Sequence, residues 1–260
     1  MDRPIGIFDS GVGGLTVLEC LRKELPYENL IYIGDNAHCP YGDKTKEELL
    51  CYTKDICDYF VSRNVKMIVL ACNTTSANVL DELQVLYPHI PIVGVISSTV
   101  HNVLTKHPHN ILVIATHATI ASHKYKQTIS QYDSSLTTYE LETPRLVPLI
   151  ESGVYKEGIE DVLEDYLSDY KNHIDTLILG CTHYPIILNQ IKHVIQGINY
   201  ISSSDAISHE VDSYLKCHHL YRQHDKRYIE IYTTGEVDEF VYSSSGFFNY
   251  SELEVKHLTV

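Results

Sequence analysis

The chain has 260 residues, of which 44% are hydrophobic and 21% charged, and its 34 acidic against 20 basic side chains give a formal net charge of −14. That length allows one large α/β domain or two smaller ones. The acidity disfavours a phosphate backbone as partner, no apolar stretch approaches the length of a membrane span, and seven cysteines without a CxxC pair argue against a disulfide framework. The expectations are no nucleic acid, no membrane, and reduced thiols free to pack or react. The opening residues MDRPIGIFDSG lack the basic start, apolar run and cleavage site of a secretion leader, so a cytoplasmic location is expected.

Taken in chain order, short apolar runs alternate with amphipathic stretches. IGIF from Ile5 reads as a buried strand and is followed by a helix over Gly14–Leu25. LIYIG from Leu30 is followed by a helix over Thr45–Arg63, whose TKEE start has the pattern of a capping box. MIVLA from Met67 precedes a helix over Ser76–Tyr87; IVGVI from Ile92 and ILVIA from Ile111 read as further strands. A helix over Lys156–Asp169 then leads to TLILG from Thr176 and INYIS from Ile198. Strand and helix taking turns predicts an α/β fold of parallel sheets covered on both faces, with function at the carboxyl ends of strands.

Two of those ends carry the same device. Cys72 in VLACNTTSAN and Cys181 in LILGCTHYP each follow an apolar run and precede small hydrogen-bonding residues, 109 positions apart. The repetition suggests an internal duplication: a first half over 1–96 plus 206–260 carrying Cys72, and a second over 97–205 carrying Cys181, facing each other across a cleft. Free backbone N–H groups at such a turn favour anions and lower a thiol's pKa. Two thiols on opposite walls could flank one substrate carbon, one removing a proton while the other supplies one, which inverts a stereocentre. A carbon acid beside a carboxylate is weaker than a thiol by about ten pKa units, roughly 14 kcal/mol, so aimed donors must stabilise the carbanion-like state.

The remaining motifs offer such donors. FDSGVGG places Asp9 and Ser10 at a strand end and turns through Gly11, Gly13 and Gly14, a place for a carboxylate to meet backbone N–H groups. CPYGD, with Pro40, Tyr41 and Gly42, reads as a rigid turn whose backbone can approach a ligand. Anion recognition falls to Ser10, Asn73, Thr74, Thr182 and main-chain N–H groups, with Asp9 or Glu151 available for an ammonium group. An amino acid suits that mixture. His183 can tune Cys181 and Asp9 can serve Cys72, which makes the halves chemically unequal. Zinc binding through Cys217, His218 and His219 is the weaker alternative, because adjacent histidines on a helix diverge and no second ligand pair is near. A binding module closing on an amino acid is another, but binding alone does not require thiols on both walls.

GIFDSGVGGLTVL, DNAHCPYG, ACNTTSA, LVPLIESG and LGCTHYP, in this order, resemble the cofactor-independent glutamate racemases of bacterial cell-wall synthesis. The resemblance runs from Ile5 to about Asp205 and implies two doubly wound domains of the aspartate/glutamate racemase type, related by pseudo-symmetry. It implies no cofactor and no metal, glutamate as substrate, D-glutamate supplied to peptidoglycan precursors, and a homodimer. It also implies that Cys72 deprotonates D-glutamate and Cys181 the L form, with Glu151 and His183 assisting. Asp9, Ser10, Tyr41, Gly42, Asn73, Thr74, Thr182 and His183 match the family's substrate contacts, and His183 is the position where the aspartate branch carries Glu. Departures fall outside these motifs, at Ser97 and Ser98 after GVI and at Thr143 before Pro144.

Overall fold

A computed structural model describes residues 2–153, 158–222, 226–251 and 253–260. The first part of the chain runs β1 (Ile5–Asp9), α1 (Leu15–Glu24), β2 (Leu30–Gly34), α2 (Lys46–Ser62), β3 (Met67–Leu70), α3 (Asn73–Asn78), α4 (Leu80–Leu86), β4 (Ile92–Gly94) and α5 (Val95–Leu104). Then come β5 (Asn110–Ala115), α6 (His117–Ala121), α7 (Lys124–Tyr132), β6 (Thr137–Glu142), α8 (Leu146–Glu151), α9 (Ile159–Leu167), β7 (Thr176–Gly180), α10 (Leu188–Val194) and β8 (Asn199–Ser202). The last elements are α11 (Ser203–Cys217), β9 (Ile229–Thr233), α12 (Val237–Ser244) and β10 (Val255–His257).

The strands form two sheets. The first is six-stranded in the order β10-β9-β2-β1-β3-β4, the second four-stranded in the order β6-β5-β7-β8, and all pairings are parallel. The order β2-β1-β3-β4 repeats as β6-β5-β7-β8, so β3 with its Cys72 and β7 with its Cys181 occupy equivalent places. Alternate residues of one strand feed opposite cores. Ile5 and Ile7 pack with α1, α11 and α12, whereas Phe8 packs with α2 and α4. In the second sheet Leu112 and Ile114 face α8, α9 and α10, and Ile111 and Val113 face α5 and α7. Burial on both faces is why these strands read as unbroken apolar runs, and it makes the fold doubly wound.

Most elements lie where the sequence puts them. The helix from Gly14 occupies Leu15–Glu24, and the TKEE start forms the capping box: the Thr45 Oγ1 accepts from Glu48 N at 3.2 Å while Thr45 N donates to Glu48 Oε2 at 2.8 Å. Two expectations need correcting. The predicted helix over Ser76–Tyr87 starts earlier and is two helices, broken at Val79, where φ is −133° and ψ 2°. Asn78 Nδ2 donates to the carbonyls of Thr74 at 2.9 Å and Ala118 at 3.2 Å, satisfying a carbonyl at the break and tying α3 to α6. The predicted strand IVGVI ends at Gly94, because Gly94 pairs with Leu70, the last residue of β3, and Val95 opens α5. The helix predicted over Lys156–Asp169 is α9, continued by a 3-10 turn over Ser168–Tyr170; its start at Lys156 lies outside the described residues.

Candidate active site

The carboxyl ends of both sheets meet at one cavity of about 60 Å³. Ser10 after β1, Tyr41 and Gly42 after β2, and Cys72, Asn73 and Thr74 after β3 line it from one side. Cys181, Thr182 and His183 after β7 line it from the other. Both cysteines are buried and neither is in a disulfide. Among the described residues no Lys or Arg is in this lining.

Cys72 is the residue preceding the first turn of α3, in extended conformation, so its backbone starts the helix while its thiol stays outside it. That thiol donates to Ser10 Oγ at 3.7 Å. Burial pushes it up to about 11, with the Asp9 charge adding to the effect and donors of Thr75 and Ser10 opposing it. Cys72 therefore holds its proton at neutral pH. Its neighbour Asn73 is fixed at both ends of its amide: Tyr125 donates to Oδ1 at 2.6 Å and Nδ2 donates to Ser203 Oγ at 3.1 Å. Thr74 Oγ1 joins Thr116 at 2.9 Å and Thr119 at 3.3 Å.

Cys181 sits 3.6 Å from Nδ1 of His183, whose Nε2 is 2.8 Å from Glu151 Oε1. Burial acts to lower the imidazole's pKa, but the hydrogen bonds to Cys181 and Glu151 and their negative charges outweigh it and hold His183 well above its ordinary value. Glu151 is kept below the usual carboxylate range, burial being overcome by His183, Cys39 and the Val12 N–H. The imidazole so held is a cation, with one ring nitrogen directed at the Glu151 carboxylate and the other at the Cys181 sulfur.

The FDSGVGG turn is occupied differently from the sequence expectation. The carboxylate that meets its N–H groups is Asp9's own: Oδ2 accepts from Gly11 N at 3.1 Å and Gly14 N at 3.0 Å, while Oδ1 accepts from Thr182 Oγ1 at 3.2 Å. Burial raises Asp9 to about 6 against the pull of His183 and these donors. The turn has no side chain where the opposite wall approaches. A Cβ on Gly13 would lie 2.5 Å from His183 Nδ1 and 2.6 Å from Thr182 Oγ1.

Of the residues singled out in the sequence, Ser10, Pro40, Tyr41, Gly42, Cys72, Asn73, Thr74, Cys181, Thr182 and His183 line the cavity, and so do Thr143 and Pro144, the departure expected to lie away from the reaction. Asp9 and Glu151 stand behind that lining, joined to it through Thr182 and His183. The Tyr41 hydroxyl is taken up by Asp35 at 2.5 Å, which leaves its ring and the Gly42 backbone to face the cavity. Sequence reasoning missed Cys39, Thr116 and His117. Thr116 and His117 follow β5, the counterpart of β1, so the strand-end rule that found Ser10 would have found them too. Among the described residues no group of three His, Cys, Asp or Glu side chains is placed to hold a metal ion, and Cys217 is exposed.

A profile of the family described as Asp/Glu/Hydantoin racemase matches residues 15–211. The glutamate racemase of Oceanobacillus iheyensis is 37% identical over 98% of this chain and 95% of its own. Among solved structures, glutamate racemase isoform RacE1 from Bacillus anthracis superposes with a TM-score of 0.94 at 31% identity, covering 99% of this chain and 98% of that one. Glutamate racemase from Francisella tularensis in complex with D-glutamate gives 0.90 at 34% identity, over 100% and 97%.

Proposed function

The chain belongs to the Asp/Glu/hydantoin racemase family and is an amino-acid racemase, and from that premise we propose that it interconverts L- and D-glutamate without a cofactor, by proton transfer between two thiols. The observation that carries this reading is that Cys72 and Cys181, at equivalent strand ends of two sheets, line one cavity. The cleft lies between the two proposed domains, 1–96 plus 206–260 and 97–205.

The mechanism follows from the unequal surroundings of the thiols. Cys72 keeps its proton and is the resting acid. Cys181 takes the part of the base: once its proton is gone, His183 donates Nδ1–H to the thiolate and Glu151 balances the imidazolium. Cys181 removes the α-proton of L-glutamate to leave a carbanion-like intermediate, and Cys72 then delivers a proton to the opposite face, giving D-glutamate. The reverse reaction starts from the opposite protonation state. Ser10, Asn73, Thr74 and the backbone at Gly42 and Thr182 provide the neutral donors for the two carboxylates, and Asp9, which accepts from the Thr182 hydroxyl, provides negative charge toward the ammonium group. The cavity is mostly apolar-walled and narrow, about 60 Å³, which favours exclusion of water around a bound substrate.

Inversion of glutamate and aspartate is assayed side by side, after dialysis against a chelator and with no added cofactor. Cys72→Ser and Cys181→Ser each lose interconversion by several orders of magnitude while retaining the fold. D-glutamate converted in deuterated water yields L-glutamate carrying α-deuterium, because the delivered proton comes from an exchangeable thiol. Equal activity on aspartate, or retention of the original hydrogen in most product, would overturn the reading. We further propose, on the family resemblance, a cytoplasmic homodimer whose D-glutamate enters peptidoglycan precursors; growth dependence on external D-glutamate after deletion and sedimentation of the purified protein test these two points. No helix among the described residues is long and apolar enough to cross a membrane.

A further inference from the structure

The mechanism above leaves one cysteine of the cleft without a task. Cys39, in the CPYGD turn, lines the cavity beside Tyr41 and Gly42. Its Sγ lies 3.6 Å and 3.7 Å from the two carboxylate oxygens of Glu151, a residue 112 positions away. The same Oε1 of Glu151 meets His183 Nε2 at 2.8 Å, and His183 Nδ1 lies 3.6 Å from Cys181 Sγ. Gly11 makes room for this arrangement: a Cβ there would stand 2.8 Å from Glu151 Oε1 and 3.3 Å from Cys39 Sγ. Four side chains from three parts of the sequence thus form one line, thiol to carboxylate to imidazole to thiol.

We infer that Cys39 is a positioning residue for the Cys181 side of the reaction, its S–H fixing the carboxylate of Glu151 that aims His183 at Cys181. This rests on the racemase reading above. Cys39 suits the task because it does not ionise: burial first, then the charges of Glu151 and Asp9, raise its pKa far above the ordinary thiol value. It remains a donor throughout the working range and is neither a nucleophile nor a proton carrier. The groups that act on this line are Asp9 and Cys72 beside Cys39, the Val12 N–H and His183 on Glu151, and Asp9 and Cys181 beside His183. The Cys72 side has a different partner, the hydroxyl of Ser10. Losing the Cys39 donor therefore weakens one wall and not the other.

The test compares Cys39→Ala and Cys39→Val, which lack the donor, with Cys39→Ser, which restores one. The equilibrium constant between enantiomers is unity, so kcat/KM falls equally for both, and the one-sided effect is read in isotope effects. We expect a loss of about fivefold in kcat/KM for the Ala and Val variants. The isotope effect with α-deuterated L-glutamate rises as Cys181 transfer becomes slower, and that with α-deuterated D-glutamate falls. Removing a donor from an anionic carboxylate raises its pKa, so the acid limb of the kcat/KM profile moves to higher pH by about half a unit. Cys39→Ser returns all three to parental values. Unchanged isotope effects and an unmoved acid limb in either donor-free variant, or a Ser variant that behaves like Ala, would overturn the inference. A parent enzyme inactive on glutamate would instead overturn the functional reading beneath it. Nitrogen-15 shifts of the His183 ring, followed against pH in the parent and in Cys39→Val, read the same contact without turnover; identical titrations would count against Cys39.

Discussion

Asp9 is a carboxylate held where its charge is costly. Its pKa rises from 3.8 to about 6, so between these values the folded state binds more protons than the unfolded state. Stability from this group is fully present below about pH 4 and is lost as pH rises through about 6. Asp9→Asn should therefore stabilise the fold by about 1–3 kcal/mol at pH 7.5 and by roughly 0.5 kcal/mol or less at pH 4, while removing most activity. Urea midpoints at the two pH values check this, and equal gains at both would contradict it. Gly13 tests shape in place of charge. Gly13→Ala drives a methyl into His183 and Thr182, and displacement of those groups by about 1 Å should cost about a hundredfold in kcat, with little change in secondary structure by circular dichroism. Cys72 and Cys181 were legible in the sequence because each stands at a strand end in the same setting. The partners of Asp9 and Cys39 were not, since they come from Thr182 and Glu151, and only folding brings those residues near.

At the scale of elements, legibility followed burial. Strands covered on both faces, such as LIYIG and TLILG, announce themselves by apolar runs. The strand β6, TTYELE, is an edge strand with alternating exposure, and its acidic side chains meet histidines: Glu140 pairs with His123 and Glu142 with His117, each at 2.6 Å. Its apolar residues, Tyr139 and Leu141, form no run, and in β9 (IEIYT) a glutamate likewise interrupts the apolar residues. The break at Val79 escaped notice because the Asn78 amide, not a Gly or Pro, makes it possible. The capping box of α2 was readable from four letters, and it stands directly after the Tyr41–Asp43 turn that lines the cleft. Thr45→Ala should cost about 1 kcal/mol in a denaturant titration. It should leave kcat nearly unchanged, because Tyr41 is anchored separately through Asp35.

The whole molecule separates chemistry from the return of its tail. The repeated strand order puts both thiols at carboxyl ends, while α5 and α11, which follow the equivalent strands β4 and β8, pack against each other. From α11 the chain must travel back to the first sheet to add β9 and β10. It does so at the amino ends of the strands, where Lys66 and Glu28 form a buried ion pair at 2.5 Å. Lys66 also donates to the carbonyl of Leu220 at 2.7 Å, and Glu28 accepts from Arg222 N at 2.8 Å, so the pair clasps the returning segment. Removing one partner leaves the other charge buried, and Glu28→Ala should destabilise the protein by about 3–5 kcal/mol. Replacing both with Met should recover much of that loss if desolvation is the dominant cost, and little of it if the clasp on Leu220 and Arg222 dominates. The enzyme that remains folded should turn over at the parental rate, since the pair lies at the opposite ends of the strands from Cys72 and Cys181. A fall in kcat matching the fall in stability would instead mean that the tail transmits strain to the cleft.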